Sequence, residues 1–157
     1  MPHLLLPKQL QFKFTESIQI ARAQQVVFDY TQDYGQRLKW DTFLREAVLL
    51  DGAAAAGPGV KSWCVSQHGI GMETEYVSFN PPRVAAVKLT RPAGLFRAFA
   101  GSWRFESIGP HLTEATFIYS FVLRGPLRLF SPLARYVLQR NVRGRLRDLK
   151  KMLEQPN

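Results

Sequence analysis

Two arginines, Arg135 and Arg145, interrupt the division of apolar and charged residues near the end of this 157-residue chain. A guanidinium at the edge of an apolar surface can lay its aliphatic stem on that surface and reach water. It can also pair with a ligand carboxylate, phosphate or polarised carbonyl. Both readings stand for Arg135 and Arg145, and Asn141 and Gly144 beside them could bend a helix and admit a ligand head group. The other reactive side chains are poorly placed for catalysis. His3 lies near the terminus, His111 in a Gly-Pro turn, and His68 against Gly69-Ile-Gly, where a solvated turn residue is the plain reading. Glu73 and Glu75 share a strand parity, so they either form a buried acid–base pair or face solvent beside Lys61 or Lys88. The single cysteine, Cys64, flanked by Trp63 and Val65, reads as a structural thiol. No His-x-Glu or Cys-x-x-Cys spacing, no Gly-x-Ser-x-Gly or Ser-x-x-Lys element and no glycine-rich phosphate loop occurs. No catalytic residue, metal or cofactor is assigned.

The elements that would position these residues follow from periodicity. Residues 11–21 alternate, with Phe12, Phe14, Ile18 and Ile20 on one face, as in an edge strand. A helical pattern from Ala23 places Val26, Val27 and Tyr30 together, and a second short helix ends near Trp40-Asp41. Strands are expected at 60–67, 72–79, 83–90, 98–108 and 112–123, separated by Gly- and Pro-containing turns. In the last of these, Phe117, Tyr119, Phe121 and Leu123 face opposite to Thr116, Ile118, Ser120 and Val122. Pro126 to Glu154 reads as one long amphipathic helix. Its apolar stripe is Leu138, Val142, Leu146, Leu149 and Leu153, and Arg140, Arg143, Arg147, Lys150 and Lys151 lie opposite. Strands joined by short turns must be antiparallel. A curved antiparallel sheet of six to seven strands packed on that helix buries both apolar faces.

Composition narrows the class. Hydrophobic content of 46% and length indicate a single globular domain, 1–157, with a peripheral segment at 1–10. No run approaches the length of a membrane span, and Pro7 cuts the short apolar opening, so a cytoplasmic protein is expected. Of the net charge of +9, residues 126–157 carry +6, eight basic against two acidic groups.

Taken in order, several motifs resemble those of one superfamily. They are Ile18-Gln-Ile-Ala, Ala23-Gln-Gln-Val-Val-Phe-Asp-Tyr, Trp40-Asp41, Gly57-Pro-Gly-Val, Phe79-Asn-Pro-Pro-Arg and Leu146-Arg-Asp-Leu-Lys-Lys-Met-Leu-Glu. The chain resembles the START-like, Bet v 1-type helix-grip superfamily (SRPBCC), in its polyketide cyclase/dehydrase-like branch, over about residues 11–154. The resemblance implies an α+β helix-grip fold with a cavity between sheet and long helix for a lipid, quinone, polyketide or similar hydrophobic molecule. The sequence supplies wall candidates at alternating strand positions, including Trp63, Met72, Tyr76, Val87, Leu89, Phe99, Trp103, Phe105, Tyr119 and Phe121. So many large side chains can equally fill the space as core.

Three functions are therefore weighed. The preferred one is a non-enzymatic carrier or binder of a hydrophobic small molecule, monomeric or weakly dimeric. Its ligand would meet Trp63, Met72, Tyr76, Phe99, Trp103, Tyr119, Phe121, Arg135 and Arg145. The second is a polyketide cyclase or dehydratase in which Tyr, Arg or Glu75 moves protons; the lack of a well-placed histidine counts against it. The third is a module whose basic helix meets a ribosome-like partner or an anionic membrane surface. Nucleic acid is disfavoured because no interleaved aromatic or groove-reading motif accompanies the basic face.

Overall fold

In a computed structural model, residues 11–156 are described; the expected peripheral segment 1–10, with His3, lies outside the described residues. The chain forms β1 (Phe12–Ile20), α1 (Gln24–Gln32), α2 (Arg37–Trp40), β2 (Leu44–Leu49), β3 (Lys61–Ser66), β4 (Gly71–Asn80), β5 (Val84–Leu89), β6 (Phe96–Gly109), β7 (Leu112–Leu123) and α3 (Ser131–Leu153). The seven strands make one antiparallel sheet in the order β1-β7-β6-β5-β4-β3-β2. This is the expected helix-grip α+β fold.

Two elements depart from expectation. β2 was not anticipated, and a bulge between Leu44 and Glu46 explains why. The bulge puts the buried Leu44 and Ala47 three residues apart, which mimics a helical spacing. The long helix is also shorter than read. Gly125–Phe130 is a 3-10 turn, and the α-helix starts at Ser131 with Pro132 in its first turn, where a missing N–H costs nothing.

The apolar stripe of α3 is buried as its periodicity predicts, with Leu149 wholly enclosed and Val142 and Leu146 nearly so. Burying each such side chain is worth about 1.5–3 kcal/mol. Polar ties then fix the helix on both flanks. On one side Gln139 Nε2 and Arg143 Nε each donate to Glu16 Oε1 at 2.8 Å, and Lys150 Nζ donates to the Gln19 carbonyl at 2.6 Å. On the other, Thr42 Oγ1 donates to Asp148 Oδ2 at 2.7 Å. Two members of the expected basic face, Arg143 and Lys150, are thus spent on β1. In α1 the buried residues are Val27, Phe28, Thr31 and Gln32, whereas Val26 is exposed. No described helix is long and apolar enough to cross a membrane.

Candidate ligand-binding site

The sheet and α3 enclose a cavity of about 160 Å³. Its apolar walls come from inward strand positions: Met72 and Tyr76 on β4, Val87 on β5, Phe96, Phe99 and Trp103 on β6, and Phe117 and Tyr119 on β7. Leu138, Asn141 and Arg145, spaced three and four residues apart, bring one face of α3 to it. Gly101 lines the same wall because a Cβ there would sit 2.9 Å from Phe117 and 3.1 Å from Phe99, so only glycine leaves both rings in place. Of the lining residues, His68 and Ile70 are exposed, so the cavity meets solvent beside the β3–β4 turn.

A buried charge cluster forms its polar end. Asp41, with no exposure, accepts from Arg37 Nε at 2.8 Å, from Arg145 Nε at 2.9 Å and from Arg145 Nη2 at 2.5 Å. Burial alone would raise the Asp41 carboxyl, but the Arg145 and Arg37 charges outweigh it and hold it at about 2. For Arg37, burial acts to lower the guanidinium and Asp41 more than reverses this, so it stays charged. Two cations and one anion leave a net positive charge at the cavity surface, where both arginines are lining residues. Arg37 lies over the rings of Trp40 (5.0 Å) and Tyr34 (5.8 Å), and Arg145 over Phe43 (5.2 Å). Among the described residues, only Nε of Arg37 finds an acceptor, which leaves its two Nη groups as donors for something else.

The tyrosines differ. Tyr76 Oη donates to Gln32 Oε1 at 2.7 Å, and Gln32 Nε2 passes the chain on to Thr31 Oγ1 at 3.0 Å. The Tyr119 hydroxyl has no hydrogen-bond partner among the described protein groups. Burial raises both phenols far above their ordinary value, so both remain protonated donors. Ser62 and Thr74 pair their hydroxyls across β3 and β4 at 2.8 Å. Burial raises the Cys64 thiol, which also lines the cavity.

The expected site residues divide accordingly. Met72, Tyr76, Phe99, Trp103, Tyr119 and Arg145 come together around the cavity; Trp63, Phe121 and Arg135 do not. Trp63 pairs with Glu73 in register and so shares the outer sheet face, its ring lying over Gly71. Phe121 is core, packed against Phe12 and Phe96 with ring centres 6.0 Å away in each case. Arg135 is exposed, its guanidinium 5.9 Å from the Phe12 ring. Glu73 and Glu75 face away from the cavity. Glu75 lies between Lys61 and Lys88 in register and Glu73 meets Arg91 at 3.4 Å, so Glu75 cannot move protons for a bound ligand. The sequence marks Asp41 as a helix end and as part of the Trp40-Asp41 motif but assigns neither it nor Arg37 to the site. The i,i+4 spacing between them on a predicted short helix was the available signal.

Comparison with known proteins places the chain among similar molecules. Residues 11–154 match the family described as polyketide cyclase/dehydrase and lipid transport. No curated protein matches it. A START superfamily protein from Mycobacterium smegmatis is 11% identical, with a TM-score of 0.80 over 91% of this chain and 97% of that one. The Zhui aromatase/cyclase from Streptomyces sp. R1128 is 15% identical, with a TM-score of 0.78 over 92% and 94%. The di-domain aromatase/cyclase BexL is 20% identical, with a TM-score of 0.72 over 95% of this chain and 52% of that one.

Proposed function

Since the chain belongs to the polyketide cyclase/dehydrase and lipid transport family, we propose that it binds a hydrophobic, ring-containing small molecule whose polar end is an anion or a polarised carbonyl. The observation that carries this is the apolar cavity closed at one end by Arg37, Asp41 and Arg145. The walls supply affinity through burial of apolar surface, and the aromatic faces favour a planar ligand. An apolar cavity near 150 Å³ accepts a single benzene-sized ring, so the space here suits about one ring with its substituent unless the mouth widens. The free Arg37 donors and the Tyr119 hydroxyl give the polar end its orientation. One chain builds the whole cavity, in keeping with a monomer or weak dimer as the working unit.

The aromatase/cyclase neighbours favour a second reading, cyclisation of a polyketide-like substrate. One feature supports it: a carbonyl oxygen placed at Arg37 would be polarised in a site of low dielectric. With Glu75 outside and His68 at the rim, binding without turnover remains the preferred function.

Native mass spectrometry of freshly purified protein, set against its denatured mass, should show a co-purified species. Anilinonaphthalene sulfonate, an aromatic anion, should bind saturably at one site per chain. Absence of any added mass, together with no thermal shift or fluorescence change with this probe or with aromatic carboxylic acids, would defeat the proposal.

A further inference from the structure

The three turns around the cavity mouth, and the start of α3, all lie at one end of the sheet. Antiparallel order puts the end of β3, the start of β4, the end of β5, the start of β6 and the end of β7 together there. The turns also touch: the Arg124 amide donates to the Leu95 carbonyl at 2.9 Å, and a Cβ on Gly94 would lie 2.8 Å from Ile70. Among the described residues, nothing covers an apolar surface at this end. Leu129 is 83% exposed, Tyr136 62%, Leu133 61%, Phe130 59% and Val137 55%, with Leu95 and Ile70 beside them. Single exposed apolar residues need no explanation, but a contiguous group of this kind does.

Position on the helix shows what the group fits. At about 100° per residue, Leu133, Tyr136 and Val137 lie opposite the inner stripe of α3, so its first two turns are apolar on both faces. From Arg140 the same outer face turns basic, continuing through Arg147 and Lys151. Leu133 and Arg140 are separated by about 10 Å along the axis at 1.5 Å per residue, near the depth to which interfacial side chains enter a bilayer. Exposed arginines surround the group: Arg97, Arg124, Arg128, Arg135 and Arg140. No acidic residue occurs between Glu114 and Asp148; Glu73 is held by Arg91, and Glu46 lies on β2 at the sheet edge remote from β7.

We infer that this end of the molecule docks on an anionic lipid bilayer. Leu129, Phe130, Leu133 and Val137 enter the acyl boundary, Tyr136 sits among head groups, and the arginines contact lipid phosphates and carboxylates. A second copy of the chain fits less well, because a two-fold pairing through this patch would set the arginines against one another. Docking also turns the His68–Ile70 mouth toward the membrane, which gives a cavity ligand a route from lipid to protein. That last step rests on the proposed function; the docking itself does not.

The test is flotation with vesicles of phosphatidylcholine alone or with about 30% phosphatidylserine. The protein should float with the anionic vesicles and only weakly with the neutral ones. The exposed pair Phe130→Ser with Leu133→Ser should weaken binding by at least ~10-fold. Arg135→Gln with Arg140→Gln should weaken it roughly tenfold. Arg147→Gln with Lys151→Gln, about a Debye length further along, should leave it within about twofold. Every variant should retain anilinonaphthalene sulfonate binding and its thermal midpoint, which separates loss of docking from loss of fold or of cavity function. Four results would overturn the inference. They are no binding to anionic vesicles, or binding lost only in the Arg147/Lys151 variant. The others are a dimer that the Phe130/Leu133 variant dissolves without any vesicle binding by the parent, and vesicle binding that emerges only when residues 1–10 are removed. An acidic protein captured in place of lipid would count with the first.

Discussion

Asp41 determines what the charge cluster costs and what it can do. Replacing it with Asn leaves two part-buried guanidinium groups without their shared anion, and Asp41→Asn should destabilise the fold by about 3 kcal/mol in urea denaturation. Its pH dependence has a definite sign. The folded carboxyl is held at about 2, below its unfolded value, so its contribution is complete above roughly pH 4 and disappears as the pH falls through about 2. An acid titration followed by tryptophan fluorescence should therefore show a steeper loss in the parent than in Asp41→Asn. A triple change, Arg37→Met with Asp41→Leu and Arg145→Met, should recover most of the lost stability while ligand affinity stays low. If the triple variant bound ligand as well as the parent, the cluster would be merely structural. The tyrosines offer a matching contrast. Tyr76→Phe removes the buried bond to Gln32 and should cost about 1–2 kcal/mol, whereas Tyr119→Phe should leave stability nearly unchanged and weaken binding of an anionic aromatic probe. Only part of this was legible in the sequence. Arg145 stood out because it broke a helical stripe. Asp41 did not: its i,i+4 pairing with Arg37 is a weak local signal, and its pairing with Arg145, 104 residues away, leaves no local pattern.

Among the elements, the inner stripe of α3 and the alternation of β7 were readable because each holds one face over many residues. Failures occurred where the period breaks. The bulge in β2 hides a strand, and Trp63 is expected on the wrong face because β3 turns its large residues Lys61, Trp63 and Val65 outward and only the small Ser62, Cys64 and Ser66 toward the cavity. The 3-10 turn at 125–130 was merged into α3 because its apolar residues continue a plausible helical pattern. These placements yield separate expectations for stability. Leu149→Ala, at the enclosed centre of the stripe, should cost about 2–5 kcal/mol by calorimetry or denaturant titration. Gly71→Ala would bring its Cβ within 2.3 Å of the Trp63 ring, and should destabilise by about 1–3 kcal/mol, relieved when Trp63 is also reduced to Leu.

For the molecule as a whole, the cavity couples occupancy to stability. A ligand at one hundred times its dissociation constant adds about 2.7 kcal/mol, which for a chain of this size raises the thermal midpoint by roughly 5–10 °C. A shift of that order with an aromatic acid, abolished in the triple Arg37/Asp41/Arg145 variant, is the expected result in a thermal scan. The sheet order carries a different consequence, in time rather than in space. Of the described strands, β1 emerges before the others, yet it lies at the sheet edge and pairs with β7, which emerges after them, with Phe12 opposite Phe121 and Ile20 opposite Thr113. During translation at about 5–20 residues per second, β1 must wait several seconds for its partner to emerge. Pairings of such long sequence separation also make folding slow. The cavity thus comes into existence only once β7 has emerged to close the sheet and α3 is laid across it.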